Sequence, residues 1–196
     1  MTRPDPADLA AVFAGEVLVG EEWRDHDFTG KRVAVISRGN DAVRLLPEVA
    51  WTARSVKIFL DDPDWVLPAM PTPFGVAVRA ASYVPVAGPR ARRLIARTHL
   101  RFAVKDPWVR RLLTPDDRFG AHSTGRGDCF YDVLQRSHCK LIRWPVYGVT
   151  AEGVRSAEGI EHQVDAIVIP APERLRRIAV PLHQTGPTGT REDRSA

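Results

Sequence analysis

Cysteine is scarce: Cys129 and Cys139 are the two in 196 residues. Two thiols cannot build the disulfide framework of a small secreted domain, so stability must come from a buried core. No apolar run approaches the ~20 residues that a membrane-spanning helix needs. The first ten residues, MTRPDPADLA, hold no apolar signal core, so the expected location is cytoplasmic, with no membrane partner. His122, Cys129, His138 and Cys139 match no common zinc spacing, and no metal site is expected. Neither a Gly-x-Ser-x-Gly elbow nor a His-Glu-x-x-His pair occurs. Asp116, Asp117 and Asp128 read as solvated turn residues, and His26, between Asp25 and Asp27, as an exposed loop histidine. Neither sign of charge dominates: 28 Lys and Arg against 24 Asp and Glu leave a net charge of +4, which identifies no partner class by itself.

What is present centres on Gly30–Trp65. Arg32–Ile36 is a short apolar run, the pattern of a buried parallel strand. The turn Ser37-Arg38-Gly39-Asn40 follows, then apolar residues at helical spacing: Ala42, Val43, Leu45, Leu46, Val49 and Ala50. Pro47 interrupts that helix and removes one of its hydrogen bonds. Ser55–Leu60 is a second β-branched run, ending in Asp61-Asp62-Pro63. Strand, glycine turn, helix, strand and acidic end follow the order of a dinucleotide-binding βαβ unit. The Gly-x-Gly-x-x-Gly/Ala positions fall on Ser37, Gly39 and Ala42. The middle glycine, which lets backbone approach a pyrophosphate, is kept, and the last position is small. Serine stands at the first. Two of three matches leave open a nucleotide turn or an ordinary α/β turn.

The remaining chain reads as follows. A short helix is expected around Pro6–Phe13, then an apolar segment and polar loop to Arg24. Residues 63–90 are proline-rich and read as an irregular excursion. Residues 90–113 form one or two basic helices, with Leu94, Ile95, Thr98, Phe102 and Trp108 as the apolar side. That stretch is either a solvated amphipathic helix or a surface for an acidic partner. Without base-stacking aromatics, nucleic acid is the weaker reading. A helix at Phe130–Arg136 and a strand at Cys139–Trp144 follow. Val146–Thr150, Val154–Ser156 and Ile160–Val164 form an antiparallel meander turning at Ala157-Glu158-Gly159. Val164–Ile169 closes the parallel sheet. The fold class is therefore α/β: a Rossmann-like βαβ sheet with a helical insertion and a small antiparallel meander. A single domain over 1–184 is expected, with a disordered tail at 185–196.

Five stretches together resemble the NADPH-binding domain of Baeyer–Villiger-type flavin-dependent monooxygenases. Phe13-x-Gly15 with Trp23 matches the outline of that family's fingerprint. Gly30–Ile36 matches the strand entering its nicotinamide-nucleotide turn, and Pro47-Glu48-Val49-Ala50 the helix after it. Phe59 with Pro63-x-Trp65-Val66-Leu67-Pro68 matches the segment after the second strand. Leu113-Thr114-Pro115-Asp116, Gly120, Gly153-Val154 and Asp165-x-Ile167-Val168 match the run toward the second flavin motif. The likeness spans about residues 13–172 and implies a Rossmann-like nucleotide domain with an insertion at 69–112.

The departures shape the expected function. The resemblance implies a FAD-binding domain before the fingerprint, where this sequence has twelve residues. The fingerprint histidine is Val19, and Pro170-Ala171-Pro172 replaces the Ala-Thr-Gly return to the flavin. The expectation is a truncated relative, not competent alone, in which FAD is not expected. Its cofactor, if any, is NAD or NADP. Where the resemblance implies an arginine for the 2′-phosphate, Asp61 stands, and an acid there suits the ribose hydroxyl of NAD instead. Asp41 begins the helix, where its carboxylate can cap free N–H groups. Arg38 either reaches a phosphate or faces solvent. The expected cofactor-lining residues are Ser37, Arg38, Gly39, Asn40, Asp41 and Asp61, with no catalytic residue. Two further readings stay open. One is a nucleotide-binding component working with a FAD-binding partner chain. The other is an interaction module using the basic helix.

Overall fold

The computed structural model describes residues 6–37, 39–60, 63–68, 88–115, 124–127 and 129–171. In chain order the strands are β1 (Glu16–Val19), β2 (Arg32–Ser37), β3 (Ser55–Leu60), β4 (Trp65–Leu67), β5 (Thr124–Arg126), β6 (Cys139–Ile142), β7 (Val146–Thr150), β8 (Gly153–Ser156), β9 (Glu161–Gln163) and β10 (Ala166–Ile169). The helices are α1 (Pro6–Val12), α2 (Asn40–Thr52), α3 (Gly88–Ala103), α4 (Pro107–Leu112) and α5 (Phe130–Leu134).

Val33, Ala34 and Val35 of β2 are all buried, because this strand lies inside a sheet covered on both faces. That sheet has five parallel strands in the order β1-β10-β2-β3-β6. The two-residue alternation of strand side chains divides them between two cores. On one face Val33, Val35, Val56, Ile58, Leu60 and Val168 meet Leu45, Leu46 and Val49 of α2, together with α5 and the inner side of α3. On the other, Ala34, Phe59, Ile167 and Ile169 meet Leu9 and Phe13 at the N-terminal helix and Val146, Val149 and Val154 of the meander. Each fully buried aliphatic side chain contributes roughly 1.5–3 kcal/mol relative to exposure.

The helix α2 forms as its spacing predicts, with all six expected apolar residues buried. Pro47 lies inside it and leaves the Val43 carbonyl without its intrahelical donor. Gly127, just after β5, approaches that point: a Cβ there would stand 2.6 Å from Val43 Cγ1 and 3.6 Å from the Val43 carbonyl oxygen. Glycine is what lets the end of β5 pack this closely on the helix.

The meander β7-β8-β9 is antiparallel as expected, with Gly159 turning at φ +87°. Several expectations need correction. The apolar segment after Phe13 is an edge strand, β1, paired with β10. The proline-rich excursion contains β4, which pairs in parallel with β5 in a separate two-stranded sheet. Its three residues are all buried, so tertiary packing outweighs the surrounding prolines. The basic stretch is two helices, but its buried side was misassigned. Ala96 and Leu100, with Val104 beyond the helix end, are buried, whereas Leu94, Phe102 and Trp108 are exposed. The strand β4 packs against α3, and small Ala96 permits that approach. The expected 69–112 insertion is described only from residue 88 onward, and the expected tail at 185–196 lies outside the described residues, as do His122, Asp116, Asp117 and Asp128. No helix among the described residues is long and apolar enough to cross a membrane.

Candidate functional site

Parallel α/β sheets bind ligands beyond the carboxyl ends of their strands, at the point where connections diverge. Here that point is the end of β2, flanked by β10 and β3. The chain leaves β2 at Ser37, whose side chain is buried and whose Oγ has no hydrogen-bond partner among the described residues. It then passes Gly39, at φ +53° and ψ −124°, which is the residue before the first turn of α2. That conformation strains any residue with a Cβ. Asn40 and Asp41 open the helix, whose first N–H groups form an anion-attracting end.

The anion present there is the protein's own. Asp64 Oδ2 accepts the Asn40 backbone N–H at 3.0 Å. A Cβ placed on Gly39 would overlap that same carboxylate. This carboxylate comes from Asp64, on the approach to β4, a residue the sequence reading did not place at the helix start. Of the other expected cofactor-lining residues, Ser37, Gly39, Asn40 and Asp41 come together at this turn. Arg38 and Asp61 lie outside the described residues.

Asp64 is placed by a firm surround. Pro63 before it and Trp65 after it are buried. His99 Nδ1 of α3 lies 3.1 Å from the Val66 carbonyl oxygen, a contact that requires the proton on Nδ1 because the carbonyl only accepts. Tyr131 of α5 shares a backbone hydrogen bond with Val66, while burial pushes its phenol pKa strongly upward. The His99 and Tyr131 rings are 5.1 Å apart. Sequence reasoning missed Asp64, His99 and Tyr131. The usable signal was Pro63-x-Trp65, in which the middle residue is the acid.

A test of fit follows from this geometry. A dinucleotide pyrophosphate needs the helix-start N–H groups and the open space above the middle glycine. In this structure Asp64 holds both, so the residues present do not fit the pyrophosphate as arranged.

The opposite end of the sheet carries a different polar cluster. Arg32 Nη2 donates to Asp165 Oδ1 at 2.7 Å and Arg32 Nε to Asp165 Oδ2 at 3.1 Å. The Arg32 backbone N–H donates to Oδ2 at 2.7 Å, and the Asp165 N–H returns to the Arg32 carbonyl at 2.7 Å. The Arg32 side-chain hydrogen bonds, aided by its backbone N–H, hold the Asp165 carboxyl down to about 2. This clamp fixes the start of β10 beside the start of β2. An open groove of about 540 Å³ lies beside it, lined by Arg32, Lys57, Glu152, Glu161 and Gln163. It mixes both signs of charge, and among the described residues its lining includes no Ser, Thr, Cys or His.

The fingerprint residues are structural in this fold. Gly15 lies so close to the Asp165 carbonyl and the Phe13 ring that a Cβ would overlap them. Trp23 is buried in the helix-side core. His26 is half-buried rather than loop-exposed: its Nε2 lies 2.8 Å from Glu16 and 2.9 Å from Lys31 Nζ. Among the described residues no group of three His, Cys, Asp or Glu side chains is placed to hold a metal ion.

No protein-family model matches the chain. It is 28% identical over 182 residues to a Baeyer–Villiger monooxygenase of Pseudomonas aeruginosa, covering 80% of this chain and 34% of that protein. It is 26% identical to a Baeyer–Villiger monooxygenase of Streptomyces coelicolor, covering 86% of this chain and 38% of that one. An uncharacterized monooxygenase of Mycobacterium tuberculosis is 29% identical, with 92% and 42% covered. The fold is shared with a steroid monooxygenase bound to NADP, at a TM-score of 0.67 and 20% identity over 87% of this chain and 45% of that one. A cyclohexanone monooxygenase from Rhodococcus bound to NADP+ gives a TM-score of 0.67 at 18% identity, with 92% and 46% covered. The chain thus spans between 34% and 42% of the length of these curated relatives.

Proposed function

We propose that this chain, a relative of the Baeyer–Villiger-type flavin-dependent monooxygenases, is the nicotinamide-nucleotide-side unit of that architecture and turns over no substrate by itself. The observation that carries the reading is the β2–turn–α2–β3 unit, with Gly39 at the helix start, inside a parallel sheet shared with NADP-bound monooxygenases. In flavin enzymes the cofactor supplies the oxygen chemistry, and the protein supplies binding and orientation. A unit of this kind contributes to turnover where a FAD-binding unit, such as a partner chain, holds the flavin. Such a pairing would use a nicotinamide cofactor only with the Asp64 carboxylate displaced from the helix start, and an acid at Asp61 then favours the ribose hydroxyl of NAD over the phosphate of NADP.

The test is direct. Purified protein is expected to lack a stoichiometric flavin absorption band and to show no ketone-dependent consumption of NADH or NADPH. Yellow protein that oxidises a ketone unaided would sink the proposal. A preference for NADPH over NADH in a complex with a flavin-holding chain would remove the argument from Asp61.

A further inference from the structure

We infer that Asp64 acts as an internal anion that closes the pyrophosphate seat at the start of α2. The inference rests on reading that turn as nucleotide-type, and it adds the residue that shuts it. Two independent features of the seat are taken by one carboxylate. The Asn40 N–H, a donor that a phosphate oxygen would require, is given to Asp64 Oδ2 at 3.0 Å. The space above Gly39, kept clear by the missing Cβ, is filled by the same group. A second anion brought to that place meets like charge at contact distance and finds its donor engaged.

The closure is built into the fold. Asp64 sits between buried Pro63 and buried Trp65. The next residue, Val66, is tied to His99 on α3 and Tyr131 on α5. Beyond it β4 is paired along its length with β5. The backbone that carries the carboxylate is thus anchored on its C-terminal side by a strand held from two helices. Serine at position 37 and aspartate at position 41 are the departures visible in the fingerprint; neither is the group seen on the Asn40 donor.

Isothermal titration of the intact chain with inorganic pyrophosphate, NADH and NADPH at low salt tests this. Wild type is expected to show no saturable binding below about millimolar concentration. Asp64→Ser removes the charge and empties the space, and Asp64→Asn removes the charge while keeping the shape. Asp64→Ser is expected to bind pyrophosphate at least about tenfold more tightly than wild type, and Asp64→Asn, which still fills the space and can accept from Asn40, to gain less. Adding Gly39→Ala to Asp64→Ser should abolish the gain, because the new methyl refills the seat. That arm separates the seat from general anion attraction by the basic helices. Micromolar binding of pyrophosphate or either dinucleotide by wild type would overturn the inference. So would folded Asp64→Ser protein, checked by circular dichroism, that still binds no pyrophosphate. Pyrophosphate binding by Asp64→Ser without NADH or NADPH binding upholds closure by Asp64 and counts against the nicotinamide reading alone.

Discussion

At Gly39 two constraints meet in one residue, a backbone at φ +53° and a carboxylate where a side chain would begin. Gly39→Ala should therefore cost roughly 1–3 kcal/mol, read as a lower urea midpoint. Part of that cost should vanish when Asp64→Ala is added, with a coupling of about 1 kcal/mol in a double-mutant cycle. Additive effects would show that the two do not touch. At the opposite end of the sheet Asp165 makes a pH prediction. Its carboxyl lies at about 2, below the ordinary 3.8, so the folded state binds fewer protons than the unfolded one. The stability it contributes is complete above pH ~4 and fades as pH falls toward 2. Melting temperature should drop across that window in wild type and drop less steeply in Asp165→Asn. Sequence spacing located Ser37, Gly39, Asn40 and Asp41 because they share one turn. It did not locate Asp64, which reaches the same place from 24 residues on. Local periodicity carries no information about a contact made across two elements.

Among the elements, α2 was legible because its apolar positions recur at helical spacing and all are buried. The helix α3 was not legible in the same way. Arginine is frequent along it, and large apolar residues lie on more than one side, so the sequence offers two candidate faces. The choice falls to β4, whose approach favours Ala96, His99 and Leu100. Arg97 and Arg101 are exposed, like Leu94 and Phe102, on the rest of the helix surface. The two faces give opposite predictions. Leu100→Ala removes a buried side chain and should cost about 2–5 kcal/mol. Phe102→Ala removes one that is 80% exposed and should change stability by less than about 0.5 kcal/mol. Chemical denaturation of the two variants measures both. Equal losses would mean that α3 is turned the other way. The short β1, β4 and β5 escaped the sequence reading because each is brief and set among Gly, Pro or polar residues that read as loop.

For the molecule as a whole, one sheet serves two cores, so the faces should not unfold separately. Leu46→Ala on the helix side and Ile167→Ala on the meander side each delete a fully buried side chain, at about 2–5 kcal/mol apiece. Tryptophan fluorescence and far-ultraviolet circular dichroism are expected to give coincident transitions in both variants. Separated transitions would show that the meander is an independent unit. The sequence predicted a late strand closing the parallel sheet, but its position between β1 and β2 was not readable, since no local pattern encodes a neighbour some 150 residues earlier. That insertion has a consequence for biosynthesis. While the chain emerges, β1 and β2 have no stretch between them, and both present bare hydrogen-bonding rims to the surroundings. The gap is filled only when Ala166–Ile169 arrives, across a loop whose closure entropy opposes early assembly. Maturation must therefore wait until nearly all of these residues are free, and until then the vacant slot invites pairing with neighbouring chains or shielding by chaperones.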